Sequence, residues 1–259
     1  MVENLENNVF IRETLNSLKK NKVDVARLGT RGFEFDNIKS EKDCVLVMGL
    51  NLAGDEKAAK NEKNNRTFLY SFSNKNINIK GSSYVYNLYY RPIYNIMNEV
   101  FDGDVKWHWC NKNWDDLENE IENSDDRDFI KEILKEYNNH QNKKVSIYIG
   151  DMFYYHETDS KKLPISKDID LKSYYFKMLK LHIKALKKEG KNIKFIYINN
   201  AKVSTSMCGN SIKTVEEYNN KDDNSNIPIF YGGMLSSPMD SFSKKRLVNE
   251  IKDCLNKEK

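Results

Sequence analysis

Cysteine is scarce in this sequence and never paired at short spacing. Cys44, Cys110, Cys208 and Cys254 are the only four in 259 residues, and no two form a CxxC. Neither a zinc knuckle nor a disulfide framework is therefore signalled, and a reducing, cytoplasmic compartment is expected. Long apolar runs are also missing: none approaches the roughly 20 residues that span a bilayer. The chain opens with Glu3, Glu6 and several Asn where a secretory leader would be basic and then apolar, so a soluble protein with no membrane association is expected. An excess of one charge is nearly absent, because 42 Lys and Arg face 38 Asp and Glu for a formal net charge of +4. So weak a field permits nucleic-acid binding without implying it. The glycines do not fall at the spacing of a dinucleotide or Walker loop, and no serine occupies a GxSxG elbow. Nucleotide cofactors and a hydrolase triad both lack support, and there is no internal repeat.

What is present is the make-up of a folded globular chain, since 39% hydrophobic and 12% aromatic residues exceed what a disordered chain carries. A single domain over residues 1–259 is expected, with residues 111–142 read as a helical insertion. Leu5, Val9, Ile11, Leu15 and Leu18 follow near-helical spacing over residues 3–20. The run DCVLVMG at 43–49 reads as a strand buried on both faces, and the polar stretch 51–66 as a long functional loop. Strands are also expected over 106–110, 145–155, 193–198 and 227–231. A helix is expected beyond Arg91-Pro92, another over 171–188 closed by Gly190, and a last one capped by Ser241. The KDDNSN tract within 209–226 reads as a mobile loop. Strands alternating with helices imply a three-layer α/β/α fold with a mostly parallel central sheet of about four strands.

Open parallel sheets bind ligands beyond the carboxyl ends of their strands. Four such ends are legible: Gly49-Leu50-Asn51-Leu52-Ala53-Gly54, Gly150-Asp151, Asn199-Asn200-Ala201-Lys202 and Tyr231-Gly232-Gly233-Met234-Leu235-Ser236. Asp151, Tyr154, Tyr155, His156, Glu157 and Asp159 also form a tempting acid–base cluster, although a lone His near a strand end is more often a hydrogen-bonded scaffold residue, and metal binding would need two or three such groups to converge.

The order VLVMGLNLAG, SIYIGDMFYYHET, FIYINNAK and FYGGMLSSPMDSFSKKRL resembles the uracil-DNA glycosylase superfamily over roughly residues 43–250. There the first strand ends in a Gly-x-Asp/Asn-Pro loop, a middle strand in the base-reading residue, and the last in a His-Pro-Ser type loop followed by a Phe-bearing helix. The resemblance makes Asn51 the residue that places water. It gives the departing base anion a cradle in the backbone N–H groups of Gly232 and Gly233, with the Tyr231 hydroxyl assisting. Gly49, Leu50, Ala53, Phe68, Asp151 and Asn200 would contact the base, and Ser236 and Lys202 the DNA. Neither metal nor organic cofactor is implied, DNA is the implied partner, and a monomer is expected.

The sequence departs from the family pattern at Leu52, where Pro is expected, at Tyr231 for His, and at Asp151 for the base-reading Asn. Ala53 leaves a small side chain where strict uracil enzymes carry a bulky ring. Three alternatives stay open: a base-excising glycosylase, a non-catalytic nucleic-acid or nucleobase binder that retains the fold, and an unrelated small-molecule α/β enzyme.

Overall fold

The computed structural model describes residues 8–29, 42–52, 54–64, 91–106, 144–209, 215–220, 225–235 and 239–257. Its helices are α1 (Val9–Ser17), α2 (Glu56–Asn64), α3 (Arg91–Val100), α4 (Leu171–Lys188), α5 (Ala201–Cys208) and α6 (Ser241–Lys257). Its strands are β1 (Asp43–Asn51), β2 (Val105–Lys106), β3 (Val145–Phe153), β4 (Asn192–Asn199), β5 (Val215–Asn220) and β6 (Ser225–Gly232). They form one sheet in the order β2-β3-β1-β4-β6-β5. The four long strands β3, β1, β4 and β6 are its parallel centre, and the fold is a three-layer α/β arrangement. In β1 every residue from Cys44 to Leu50 is buried, as a strand covered on both faces requires.

Two additional strands flank this centre. The two-residue β2 pairs parallel with β3, Val105 beside Val145. Strand β5 pairs antiparallel with β6, from Val215 beside Phe230 to Asn220 beside Ser225, so part of the expected mobile loop at 209–226 is a hairpin arm. The stretch 51–66 is likewise not all loop, because Asp55 starts α2 by accepting from the N–H groups of Lys57 and Ala58 at 3.0 and 3.1 Å. The Ala58 N–H foremost holds the Asp55 carboxyl below the usual carboxylate range. Helix α6 is capped by Asp240 in place of Ser241: Asp240 accepts from Ser243 N–H at 2.9 Å and from the Ser243 hydroxyl at 2.6 Å. The expected insertion at 111–142 and the segment 107–110 lie outside the described residues.

The chain divides into two compact units, Met1–Phe35 with Leu46–Arg66 and Tyr148–Gly233, and Asp36–Val45 with Thr67–Ile147 and Met234–Lys259. In the second, α6 is tied to α3 by Lys244 to Glu99 at 3.0 Å and to the turn after α3 by Lys252 to Asp102 at 2.5 Å. In the first, α4 lies over the sheet with its apolar face, including Tyr175, Met178, Leu179 and Ile183, buried.

One polar group sits in that core. His182 is fully buried, its Nδ1 2.8 Å from the Met178 carbonyl and its Nε2 2.8 Å from the Tyr154 hydroxyl. A carbonyl only accepts, so Nδ1 carries the proton and Nε2 accepts from Tyr154. Gly150 makes room for the ring: a Cβ there would stand 2.7 Å from it and 3.1 Å from the Met48 sulfur.

Burial pushes His182 down to about 4 from its ordinary 6.5. The unfolded chain therefore takes up a proton that the folded chain refuses. The associated stability is complete above pH 6.5 and is lost as pH falls toward 4, a loss on the order of 3 kcal/mol. Urea melts at pH 7 and pH 5 should show about 2 kcal/mol of this fall in the wild type and a much shallower change in His182→Gln.

Candidate functional site

From β1 the chain goes to one side of the sheet for β3 and to the other for β4 and β6. A parallel sheet whose connections part in this way leaves a crevice beyond the carboxyl ends of the two strands at the reversal. Those strands are β1, which ends at Asn51, and β4, which ends at Asn199. Asn199 is buried at 1% exposure, whereas Asn51 is half-buried.

The Asn51 amide is held on its nitrogen side. Nδ2 donates to the Glu157 carbonyl at 2.6 Å and the Leu52 carbonyl at 2.8 Å, with the Tyr155 carbonyl at 3.5 Å. An amide nitrogen surrounded by acceptors has one sensible orientation, leaving Oδ1 as the acceptor turned from them. Tyr155 and Glu157 belong to a strap, residues 154–166, that leaves β3 and passes the end of β1. Glu157 N–H returns a bond to the Leu52 carbonyl at 2.9 Å, and Ser160 accepts from the Lys202 ammonium at 2.7 Å in the first turn of α5. The strap thus bonds to elements on both sides of the crevice.

The N-terminal segment holds the strap in turn. Gly29 N–H donates to the Tyr154 carbonyl, His156 N–H to the Arg27 carbonyl, Lys19 N–H to the Pro164 carbonyl and Ser166 N–H to the Ser17 carbonyl, all at 2.7–3.0 Å. Arg27 Nη1 reaches Glu157 Oε2 at 2.9 Å, with the two side chains 29% and 12% exposed. Glu157 also accepts from Asp159 N–H at 3.0 Å. The expected acid–base cluster is therefore partly scaffold: Glu157 is occupied by Arg27, and His156 is buried beside Gly54. Gly54 adopts φ +110°, and a side chain there would meet both the backbone strain of that region and Ala58.

The far side is built from β4, α5 and β6. Asn200 caps α5, its Oδ1 accepting from Lys202 and Val203 N–H at 3.0 and 3.2 Å. Asn199 pairs in register with Gly232. The Gly232 carbonyl accepts from the Ser204 hydroxyl at 2.8 Å and the Gly233 carbonyl from the Tyr197 hydroxyl at 3.0 Å. In a trans peptide the N–H points opposite the carbonyl, so the first of these bonds turns the Gly233 N–H away from α5. Burial of Tyr197 pushes its hydroxyl up, well above the usual tyrosine range, so it stays a neutral donor.

Sequence reasoning placed Asn51, Asn200, Lys202, Gly232 and Gly233 at this edge, and all five lie at strand ends or in the first turn of α5. Asp151 lies two residues before the end of β3, about 7 Å back along the strand. Gly150 and Met48 face His182, so by alternation Asp151, Gly49 and Asn51 take the opposite face of the sheet. Leu50 takes the His182 face and is buried in the core at 6% exposure. It therefore does not share a face with Asn51. Tyr231 alternates away from Phe230 and Gly232, and hence from Tyr197. Ala53, Phe68 and Ser236 lie outside the described residues. Among the described residues no three His, Cys, Asp or Glu converge as metal ligands, and no helix is long and apolar enough to cross a membrane. No family model matches the chain, and no curated protein is similar to it in sequence.

Sequence reasoning missed Arg27, Tyr197 and Ser204, whose effects pass through partners distant in the chain. Arg27→Ala should cost about 1–3 kcal/mol by leaving the Glu157 carboxylate part-buried and unpaired. It should also speed hydrogen–deuterium exchange in residues 154–160 above that in a distant helix, read by peptide mass spectrometry. Gly232→Ala should destabilise by about 1–3 kcal/mol because its Cβ would overlap the Tyr197 hydroxyl and ring. Thermal melts should show part of that loss recovered by adding Tyr197→Phe.

Proposed function

We propose that the chain is a DNA-glycosylase-like protein that takes an extruded base into the crevice beyond β1 and β4 and hydrolyses its N-glycosidic bond. The observation that carries this is Asn51: its nitrogen is committed to backbone carbonyls at the reversal of strand order, and Oδ1 is left to orient a water. A group that places water needs a fixed acceptor more than it needs basicity.

The glycosidic electron pair leaves with the base, giving a cationic sugar and an anionic base. Water aligned by Asn51 Oδ1 adds to the sugar, and the proton it sheds ends on the departed base. The Gly233 N–H, directed by the Ser204 bond to the Gly232 carbonyl, is the donor for the base anion, and neutral donors in a water-poor site stabilise such charge. Asp151, ionised, only accepts hydrogen bonds, so it favours a base that presents donors over uracil, which presents a donor and an acceptor.

An excision assay over uracil, hypoxanthine, xanthine and alkylated bases tests this. Release of a donor-rich base in preference to uracil is expected, with a loss of roughly 100-fold or more in Asn51→Ala and a shift toward uracil in Asp151→Asn. Strong uracil release by the wild type contradicts the role given to Asp151. The replacement of the motif His by Tyr231 favours a second reading, a non-catalytic binder with the same crevice. DNA binding with no base released from any substrate is its signature.

A further inference from the structure

Where the strap crosses from β1 to α5, its hold on the fold changes character. Up to Glu157 it is fixed by backbone bonds, and Glu157 is bonded on both sides, through its N–H to Leu52 and its carbonyl to the Asn51 side chain. From Leu163 it is fixed again: Leu163 is buried, and the Pro164 carbonyl accepts from Lys19 N–H at 2.7 Å. Between these anchors lie residues 158–162, of which Thr158, Asp159, Lys161 and Lys162 are exposed.

This tip is a preformed turn. Asp159 N–H donates to Glu157 Oε1 at 3.0 Å, Lys161 N–H to Asp159 Oδ1 at 3.0 Å and Lys162 N–H to the Asp159 carbonyl at 2.8 Å. A turn closed by its own bonds can swing as a unit about its two ends. Among the described residues, its one hydrogen bond to another element runs from Lys202 Nζ to Ser160 Oγ at 2.7 Å, and Ser160 is likewise the one polar partner of the Lys202 ammonium. An exposed bond between two side chains adds little stability, and segments held so lightly open first. The strap is therefore weakest where it bridges the two sides of the crevice.

We propose that residues 158–162 are a lid on the crevice, latched shut by Ser160 and Lys202, and that an anionic group on the incoming ligand opens it by taking the Lys202 ammonium from Ser160. An ammonium is held more strongly by an ionised oxygen than by a neutral hydroxyl, so a phosphate displaces Ser160 and a neutral ligand does not. The lid rests on the crevice being the ligand site, as proposed above, and not on cleavage of any bond. For a nucleic acid, the anionic group is a backbone phosphate beside the extruded nucleotide.

The test is nitrogen-15 relaxation of the backbone N–H groups across the strap in the full chain, with sodium pyrophosphate as the anionic probe and sodium chloride at equal ionic strength as its blank. In the wild type, pyrophosphate should lower the order parameters of residues 158–162, and sodium chloride should leave them in place. Ser160→Ala should lower them without any probe, to below about 0.6, while Glu157 and Ile165 stay near the rigid value of about 0.85. Ser160→Asp sets a carboxylate against Lys202 and should keep the tip ordered in pyrophosphate. Thr158→Asp adds the same charge to the same tip outside the latch and should respond as the wild type does. An ordered tip in Ser160→Ala, a pyrophosphate response no larger than that to sodium chloride, or equal effects of the two aspartates would each overturn the lid. So would a loosening of the whole strap in Ser160→Ala accompanied by a lower melting temperature. None of these readouts needs base release, so a failed excision assay leaves the lid standing, and a rigid tip leaves the excision reading standing.

Discussion

The candidate site depends on one hydrogen-bonded contact: the Asn51 amide nitrogen held by the carbonyls of Leu52 and Glu157. Bonds to buried or half-buried acceptors are individually modest in net stability, but they strongly resist rearrangement because an orphaned carbonyl is costly. Here they settle which end of an amide faces the crevice. Glu157 can serve only while the strap keeps its path, and the strap keeps it through backbone bonds to residues 17–29 and the Arg27 ion pair. Elements more than a hundred residues apart in sequence thereby converge on one side chain.

The rest of the first unit makes that convergence rigid. Gly150 and Gly232 are places where a ring, His182 or Tyr197, occupies the space a side chain would need. The ring hydroxyls then do polar work: Tyr154 satisfies His182, and Tyr197 holds the carbonyl after Gly232. Packed interiors transmit such constraints because they have little free volume. An alteration at the sheet is therefore felt at the strand ends.

Much of the fold was legible in the sequence because the parallel strands and α4 carry strong apolar signals. IKFIYI and VSIYIG are short apolar runs, and Tyr175, Leu179, His182, Ile183 and Leu186 repeat at helical steps. Strand β5, VEEYNN, was missed because an antiparallel arm beside β6 can be polar. Helix α2, EKAAKNEKN, was missed because Ala59 is its one fully buried side chain among those described; the cap Asp55 was the available signal. The cap of α6 was misplaced by one residue because Ser241 and Asp240 both suit that role and only the bonds to Ser243 decide. At the site, position in a parallel sheet pointed to Asn51 and Gly232. The hand of each side chain did not follow from position alone, so Leu50 was given a base contact although alternation sends its side chain into the core. Arg27 and Tyr197 had no sequence signal, since their partners lie 130 and 36 residues away.

The central claim, that Asn51 presents a fixed acceptor to a ligand crevice shared with β4 and β6, is most directly tested by nitrogen-resolved NMR. The full chain would be titrated with a duplex bearing one mismatched, uncleavable nucleotide. The side-chain amide of Asn51 and the backbone N–H of Gly233 should shift together with a single dissociation constant. Saturable binding that leaves both signals in place while others move would contradict the account.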